Sequence, residues 1–150
     1  MMNVDFSGIS TYLGPGVELG VVAPIQYTRA PAKGNVMAYF AFNQPSSPGV
    51  EFIFELTDEN QIAKARRIIS GEEKDEVHVH GRIVKRTAPY NPKFSFHLDP
   101  STISFFTMAI EVCDANMLYV DEHLDEACGA FLPGCHWCPW DSRVTREVTP

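Results

Sequence analysis

Val36-Met37-Ala38-Tyr39-Phe40-Ala41-Phe42, then Asn43-Gln44-Pro45-Ser46-Ser47-Pro48-Gly49, then Val50-Glu51-Phe52-Ile53-Phe54-Glu55-Leu56, form the stretch that decides the fold. Two aromatic, alternating runs around a Pro/Ser/Gly turn read as a β-hairpin with one buried face. Such a face has to be covered, and the sequence on either side indicates by what. Upstream, residues 1–35 are rich in Gly, Pro, Ser and Thr and read as an irregular N-terminal segment, with one apolar patch at 17–25 as a candidate edge strand. Downstream, residues 36–150 read as a single domain.

After the hairpin, Asp58 is placed to cap a helix running to about Ser70, with Ile62, Ala65, Ile68 and Ile69 on one face and Gly71 as its stop. Lys64, Arg66 and Arg67 lie off that face. A β-rich run at 76–86 follows, with Val77, Val79 and Ile83 directed to the core, and a loop at 87–93 leads to a partner strand at 94–98. Pairing Arg86 with Phe94 sets Ile83 opposite His97. The segment 103–113 reads as a strand because its even positions Phe106, Met108, Ile110 and Val112 are apolar, although Asp99-Pro100 also resembles a helix start. Asp114 then caps a helix to about Ala127 that buries Met117, Leu118, Val120 and Leu124. The expected fold is α+β: an antiparallel sheet of about five strands in the order ββαβββα, two helices packed on it, and a Cys/Trp-rich C-terminal loop.

The chain has 150 residues, 45% of them apolar and 21% charged, which is the composition of one globular domain with a core of its own. A net charge of −7 with no concentrated basic face argues against nucleic acid as the principal partner. No apolar run is long enough to span a bilayer and the first residues lack the features of a signal peptide, so a soluble chain is expected, without a membrane partner.

The runs Tyr90-Asn91-Pro92-Lys93-Phe94-Ser95-Phe96-His97-Leu98-Asp99-Pro100, Ala109-Ile110-Glu111-Val112-Cys113-Asp114-Ala115 and Trp137-Cys138-Pro139-Trp140 carry a further signal. Over residues 36–148 the chain resembles the N-terminal domain of the calmodulin-binding protein family, a module also found as a stand-alone chain. The resemblance implies a binding module with no established catalytic set and no cofactor, and it makes a calmodulin-like protein the candidate partner. Within that pattern Cys113 and Cys138 match family cysteines, whereas Cys128 and Cys135 fall where other small or polar residues are more common.

The four cysteines also admit an argument of their own. A Cys113–Cys138 bridge would tie the last loop to the sheet, and a Cys128–Cys135 bridge would pin the turn between them. Alternatively Cys128, Cys135, Cys138 and either His123 or His136 offer a zinc ligand set, or the thiols stay free. Two disulfides are the leading reading, and they set the compartment: secreted if they form, cytoplasmic if they do not.

The best candidate contact surface is the loop around Tyr90. Pro89 and Pro92 restrict its backbone, Lys85, Arg86 and Lys93 flank it, and Tyr90 with Asn91 would be presented to a partner at little entropic cost. The competing reading makes Tyr90-Asn91-Pro92 a structural turn. Two histidines two residues apart, His78 and His80, share a strand face, but the register above puts His97 on the other face, so a three-histidine metal centre is not favoured and no metal ligands are assigned. The cluster His97, Asp99 and Ser101 lacks the arrangement of nucleophile, base and orienter, and catalytic residues are likewise not assigned. The reading is a non-enzymatic interaction module contacting a protein through Lys85, Arg86, Tyr90, Asn91 and Lys93. Its alternatives are a metal-binding protein or metal-dependent hydrolase centred on His78, His80 and His97, and a secreted protease-inhibitor-like domain.

Overall fold

The structure, a computed structural model, describes residues 36–109 and 111–150; the N-terminal segment and its candidate strand at 17–25 lie outside the described residues. The elements run β1 (Ala38–Asn43), β2 (Glu51–Leu56), α1 (Glu59–Ser70), β3 (His78–Val84), β4 (His97–Leu98), β5 (Ser104–Phe106), α2 (Met117–Glu122), β6 (Ala127–Cys128), β7 (Phe131–Pro133), β8 (His136–Trp137) and β9 (Arg143–Val148).

The hairpin forms in a register that pairs Phe40 with Phe54 and Phe42 with Phe52, so alternate residues of both strands point to one face. Helix α1 forms for the reasons its sequence suggests. The Asp58 carboxylate accepts from the amides of Asn60 (2.8 Å) and Gln61 (3.1 Å), Ile62, Ala65 and Ile68 are buried, and Gly71 ends the helix at φ +89°.

In place of one sheet of five strands there are two larger sheets and a parallel pair, β6 with β7. The first sheet has the order β2-β1-β9, and its third strand comes from the C-terminus. Strand β9 has only Val144 and Val148 as apolar residues, too few to stand out as a strand, but β1 offers it an unpaired edge. The pairing steps from Ala41↔Arg146 to Phe42↔Val144, leaving Thr145 as a bulge whose hydroxyl donates to the Ala41 carbonyl at 3.3 Å.

Strand β3 centres the second sheet. Strands β4 and β5 share one of its edges, and β8 takes the other. Between Val84↔His97 and His80↔Ser104, four residues of β3 face seven of the partner; the excess is taken up by a 3-10 turn at Pro100–Thr102. That turn is fixed by Arg82, whose amide donates to Thr102 Oγ1 (2.9 Å) and whose carbonyl accepts from Asp99 N (2.9 Å). The expected register is therefore off by one: His97 lies opposite Val84, not Ile83, and shares the outward parity of His78 and His80.

Two further expectations are corrected. The strand expected over 103–113 is limited to Ser104–Phe106, and its buried parity is odd: Ile103, Phe105 and Cys113 are buried, whereas Met108 is 82% and Val112 60% exposed. Cys113 has to face inward because it is bridged to Cys138 and its carbonyl accepts from Cys138 N at 2.7 Å. Helix α2 is capped by Asn116, whose Oδ1 accepts from Leu118 N (2.8 Å) and Tyr119 N (3.4 Å); Asp114 instead accepts from Trp140 N at 2.9 Å. The shift leaves Leu118 exposed while Met117 and Val120 are fully buried.

The core joins the two sheets through aromatic rings. Trp137 is fully buried with its ring centroid 5.2 Å from Phe52, 5.3 Å from Phe96 and 5.8 Å from Phe42, and its indole N–H donates to the Ala115 carbonyl at 2.9 Å. The Pro-flanked loop that carries it is thus a core element. It is held by the Cys113–Cys138 bridge (Cα–Cα 5.1 Å), by the Cys128–Cys135 bridge (Cα–Cα 4.2 Å) and by Ser142, whose buried Oγ accepts from Val79 N (2.9 Å) and donates to the Pro139 carbonyl (2.7 Å). Among the described residues no helix is long and apolar enough to cross a membrane.

Candidate functional site

The loop that leaves β3 and enters β4 is organised from within by Asn91, which is only 1% exposed. Its side-chain oxygen accepts from the Ile53 amide on the outer edge of β2 (2.9 Å), its side-chain nitrogen donates to the Phe96 carbonyl (3.4 Å), and its own amide closes a turn onto the Ala88 carbonyl (2.9 Å). An edge strand has backbone donors with no strand to receive them, and Asn91 supplies the acceptor for one. Asn91 is therefore not an exposed contact; the expectation that it faces a partner is corrected by its burial.

Tyr90 is half-buried. Its ring lies 5.2 Å from Tyr39 and 6.3 Å from His97, and burial, reinforced by negative charge at Glu55, Tyr39 and Asp99, pushes its phenol pKa up to about 12. The phenol stays protonated across the physiological range and presents an O–H. His97 fixes the loop's other side, donating from Nδ1 to the Arg86 carbonyl at 2.7 Å. Lys85, Arg86, Pro89, Pro92 and Lys93 remain exposed on this frame. Beside them lies a depression of about 200 Å³ lined by Glu51, Ile53, Asn91, Pro92, Lys93 and Arg146. That is smaller than the ~300 Å³ at which sites for drug-sized ligands begin. Arg146 holds Glu51 by two hydrogen bonds, 2.8 and 3.0 Å, and this contact lowers the Glu51 pKa against the opposing effect of burial.

The histidines do not assemble the three-member centre. His97 pairs with Val84, beyond reach of His78 and His80 on the same strand, and among the described residues no three His, Cys, Asp or Glu side chains are grouped to hold a metal. With all four cysteines bridged, the zinc set drawn from them is also absent. Instead β8 brings His136 beside His80, with ring centroids 4.6 Å apart, a neighbour that linear spacing does not reveal. Asp99 accepts from the amide and hydroxyl of Ser101 (3.0 and 2.9 Å), capping the 3-10 turn, so His97, Asp99 and Ser101 do not form a catalytic array.

A β-rich α+β domain with two disulfides, a rigid loop and only small surface depressions belongs to the binding type. The family model of the BP-74 N-terminal domain matches residues 36–150, and the chain belongs to that family. The match covers the whole of the domain read from the sequence and agrees with its resemblance to the N-terminal domain of calmodulin-binding proteins. No curated protein and no solved structure matches the chain.

Proposed function

We propose that this domain is a non-enzymatic protein-binding module whose contact is the exposed rim of the Tyr90 loop, formed by Lys85, Arg86, Tyr90 and Lys93. The observation that carries the reading is the buried Asn91 side chain, which anchors the loop to β2 and to Phe96. A loop fixed in this way loses little conformational entropy when a partner docks. Its exposed cations suit an acidic protein surface, and calmodulin is the partner to test first, given the resemblance.

The test is capture from the native source by the full chain, with and without calcium, followed by titration of purified calmodulin. Binding that is lost in a Lys85→Glu/Arg86→Glu/Lys93→Glu variant supports both loop and partner. Binding retained in that variant would move the contact elsewhere. If calmodulin is not bound but another protein is captured through the same residues, only the choice of partner fails; a captured protease would favour the inhibitor reading of this loop.

A further inference from the structure

On the outward face of the second sheet, away from the Tyr90 loop, β3 presents His78, His80 and Arg82, with Ser104 and Phe106 beside them on β5 and His136 on β8. His80 stands between two polar neighbours. Its Nδ1 shares a hydrogen bond with Ser104 Oγ at 3.2 Å, and on its other side the His136 ring lies 4.6 Å away at 66°. We propose that His80 and His136 bind one imidazole-preferring transition-metal dication, Cu²⁺ most tightly, with water completing the coordination.

The first argument is distance. With metal–nitrogen bonds of about 2.0 to 2.1 Å, an imidazole centroid lies roughly 3.2 Å from the metal, so two cis or tetrahedral imidazoles have centroids about 4.5 to 5.2 Å apart. The observed separation of 4.6 Å falls in this interval. The second is orientation. A histidine ligand is commonly fixed by a hydrogen bond to its other ring nitrogen, and Ser104 at Nδ1 does this for His80, leaving Nε2 for a metal. His136 is exposed, and its terminal torsion is soft, so its ring can turn a nitrogen toward the shared position at small cost.

The third argument is protonation. Burial, then the nearby His136 imidazole, lowers the His80 pKa, which favours the neutral ring a metal requires. Imidazole ligation also selects the metal class, because Cu²⁺, Ni²⁺ and Zn²⁺ accept it readily whereas Ca²⁺ and Mg²⁺ demand oxygen donors. His78 differs from this pair: its Nδ1–H donates to the Ser142 carbonyl at 2.7 Å, which makes it part of the anchorage of the C-terminal loop.

The experiment is titration of the full chain with Cu²⁺ by calorimetry, together with electron paramagnetic resonance of the one-equivalent complex. The expected result is one site with two coupled imidazole nitrogens, weakened at least about tenfold by His136→Gln or His80→Gln and unchanged by His123→Gln, which lies elsewhere on the surface. His136→Gln is at an exposed position and keeps the test decisive if His80→Gln fails to fold. Unchanged affinity in a folded His136→Gln variant, or no uptake by the wild-type chain, would overturn the site.

Discussion

Asn91 and Asp141 each connect segments that are distant in sequence, and each makes a prediction about stability. Replacing Asn91 by Ala leaves the Ile53 amide and the Phe96 carbonyl without their side-chain partner in a buried setting. At about 1 to 3 kcal/mol for a buried polar group left unpaired, the variant should lose roughly 2 to 3 kcal/mol of unfolding free energy, measured by urea denaturation. A loss below the error of that measurement would mean that water replaces the amide and that the loop is not anchored as described. Tyr90→Ala should behave differently, weakening partner binding by about 1 to 3 kcal/mol with a smaller effect on the fold; unfolding in place of weakened binding would mark Tyr90 as structural. Asp141 accepts from Gln44 Nε2 (2.6 Å), Ser46 Oγ (2.7 Å) and Ser46 N (3.1 Å), while Gln44, itself buried, accepts from Met117 N (2.8 Å). Burial opposes the Asp141 charge, but the combined hydrogen bonds outweigh it and the pKa is lowered from 3.8. A depressed carboxylate pKa contributes stability above the unfolded-state value and loses it as pH falls through the folded one. Stability should therefore fall on acidification below about pH 4, and Asp141→Asn should flatten that limb in urea melts across pH; an unaltered acid limb would remove Asp141 as its source.

At the scale of elements, legibility followed the range of the interactions that build each one. The β1–β2 hairpin and α1 are local: alternation, an Asp58 cap and a Gly71 stop lie within their own residues, and all three are present in the fold. Strand β9 and the pair β8–β3 are the opposite case. Neither has periodicity of its own, because β8 is two residues between prolines and β9 is mostly polar outside Val144 and Val148; both exist because a distant strand offers an unpaired edge. The Tyr90 loop was legible as a rigid turn from its prolines, whereas the burial of Asn91 was not, since the donor it satisfies lies 38 residues away. The pairing of His80 with His136 was hidden for the same reason. The run 103–113 misleads by its even-numbered apolar residues, since the inward direction of Cys113 is set by Cys138. That bridge holds β8 and the buried Trp137 to the end of the second sheet, and closing a loop of this size contributes on the order of 3 to 4 kcal/mol in a chain-entropy estimate. Cys113→Ser/Cys138→Ser should lower unfolding free energy by about that amount, with Trp137 fluorescence shifting red at lower denaturant. A midpoint equal to that of the wild type would show that aromatic packing alone holds the loop.

For the molecule as a whole, charge distribution decides more than net charge. The chain carries −7, yet its basic residues are not equivalent: Lys64 pairs with Glu76, Arg66 with Glu147 and Arg146 with Glu51, all at the surface. Such exposed pairs contribute little to stability, but they remove three cations from the field that a partner meets. Lys85, Arg86 and Lys93 form no salt bridge among the described residues, so the Tyr90 loop is a basic rim on an acidic molecule. An acidic partner approaching from any other side is repelled and is steered toward this rim, an effect that acts on association rate and is screened by salt. With calmodulin as the acidic partner, the association rate constant should fall steeply between low and physiological ionic strength, while dissociation changes little. The triple reversal Lys85→Glu/Arg86→Glu/Lys93→Glu should slow association by about tenfold or more at low salt and flatten its salt dependence, with an unchanged urea midpoint because these side chains are exposed. Stopped-flow mixing at several salt concentrations measures both quantities, and a triple variant that keeps the wild-type rate and salt slope would rule out the rim as the surface that receives the partner.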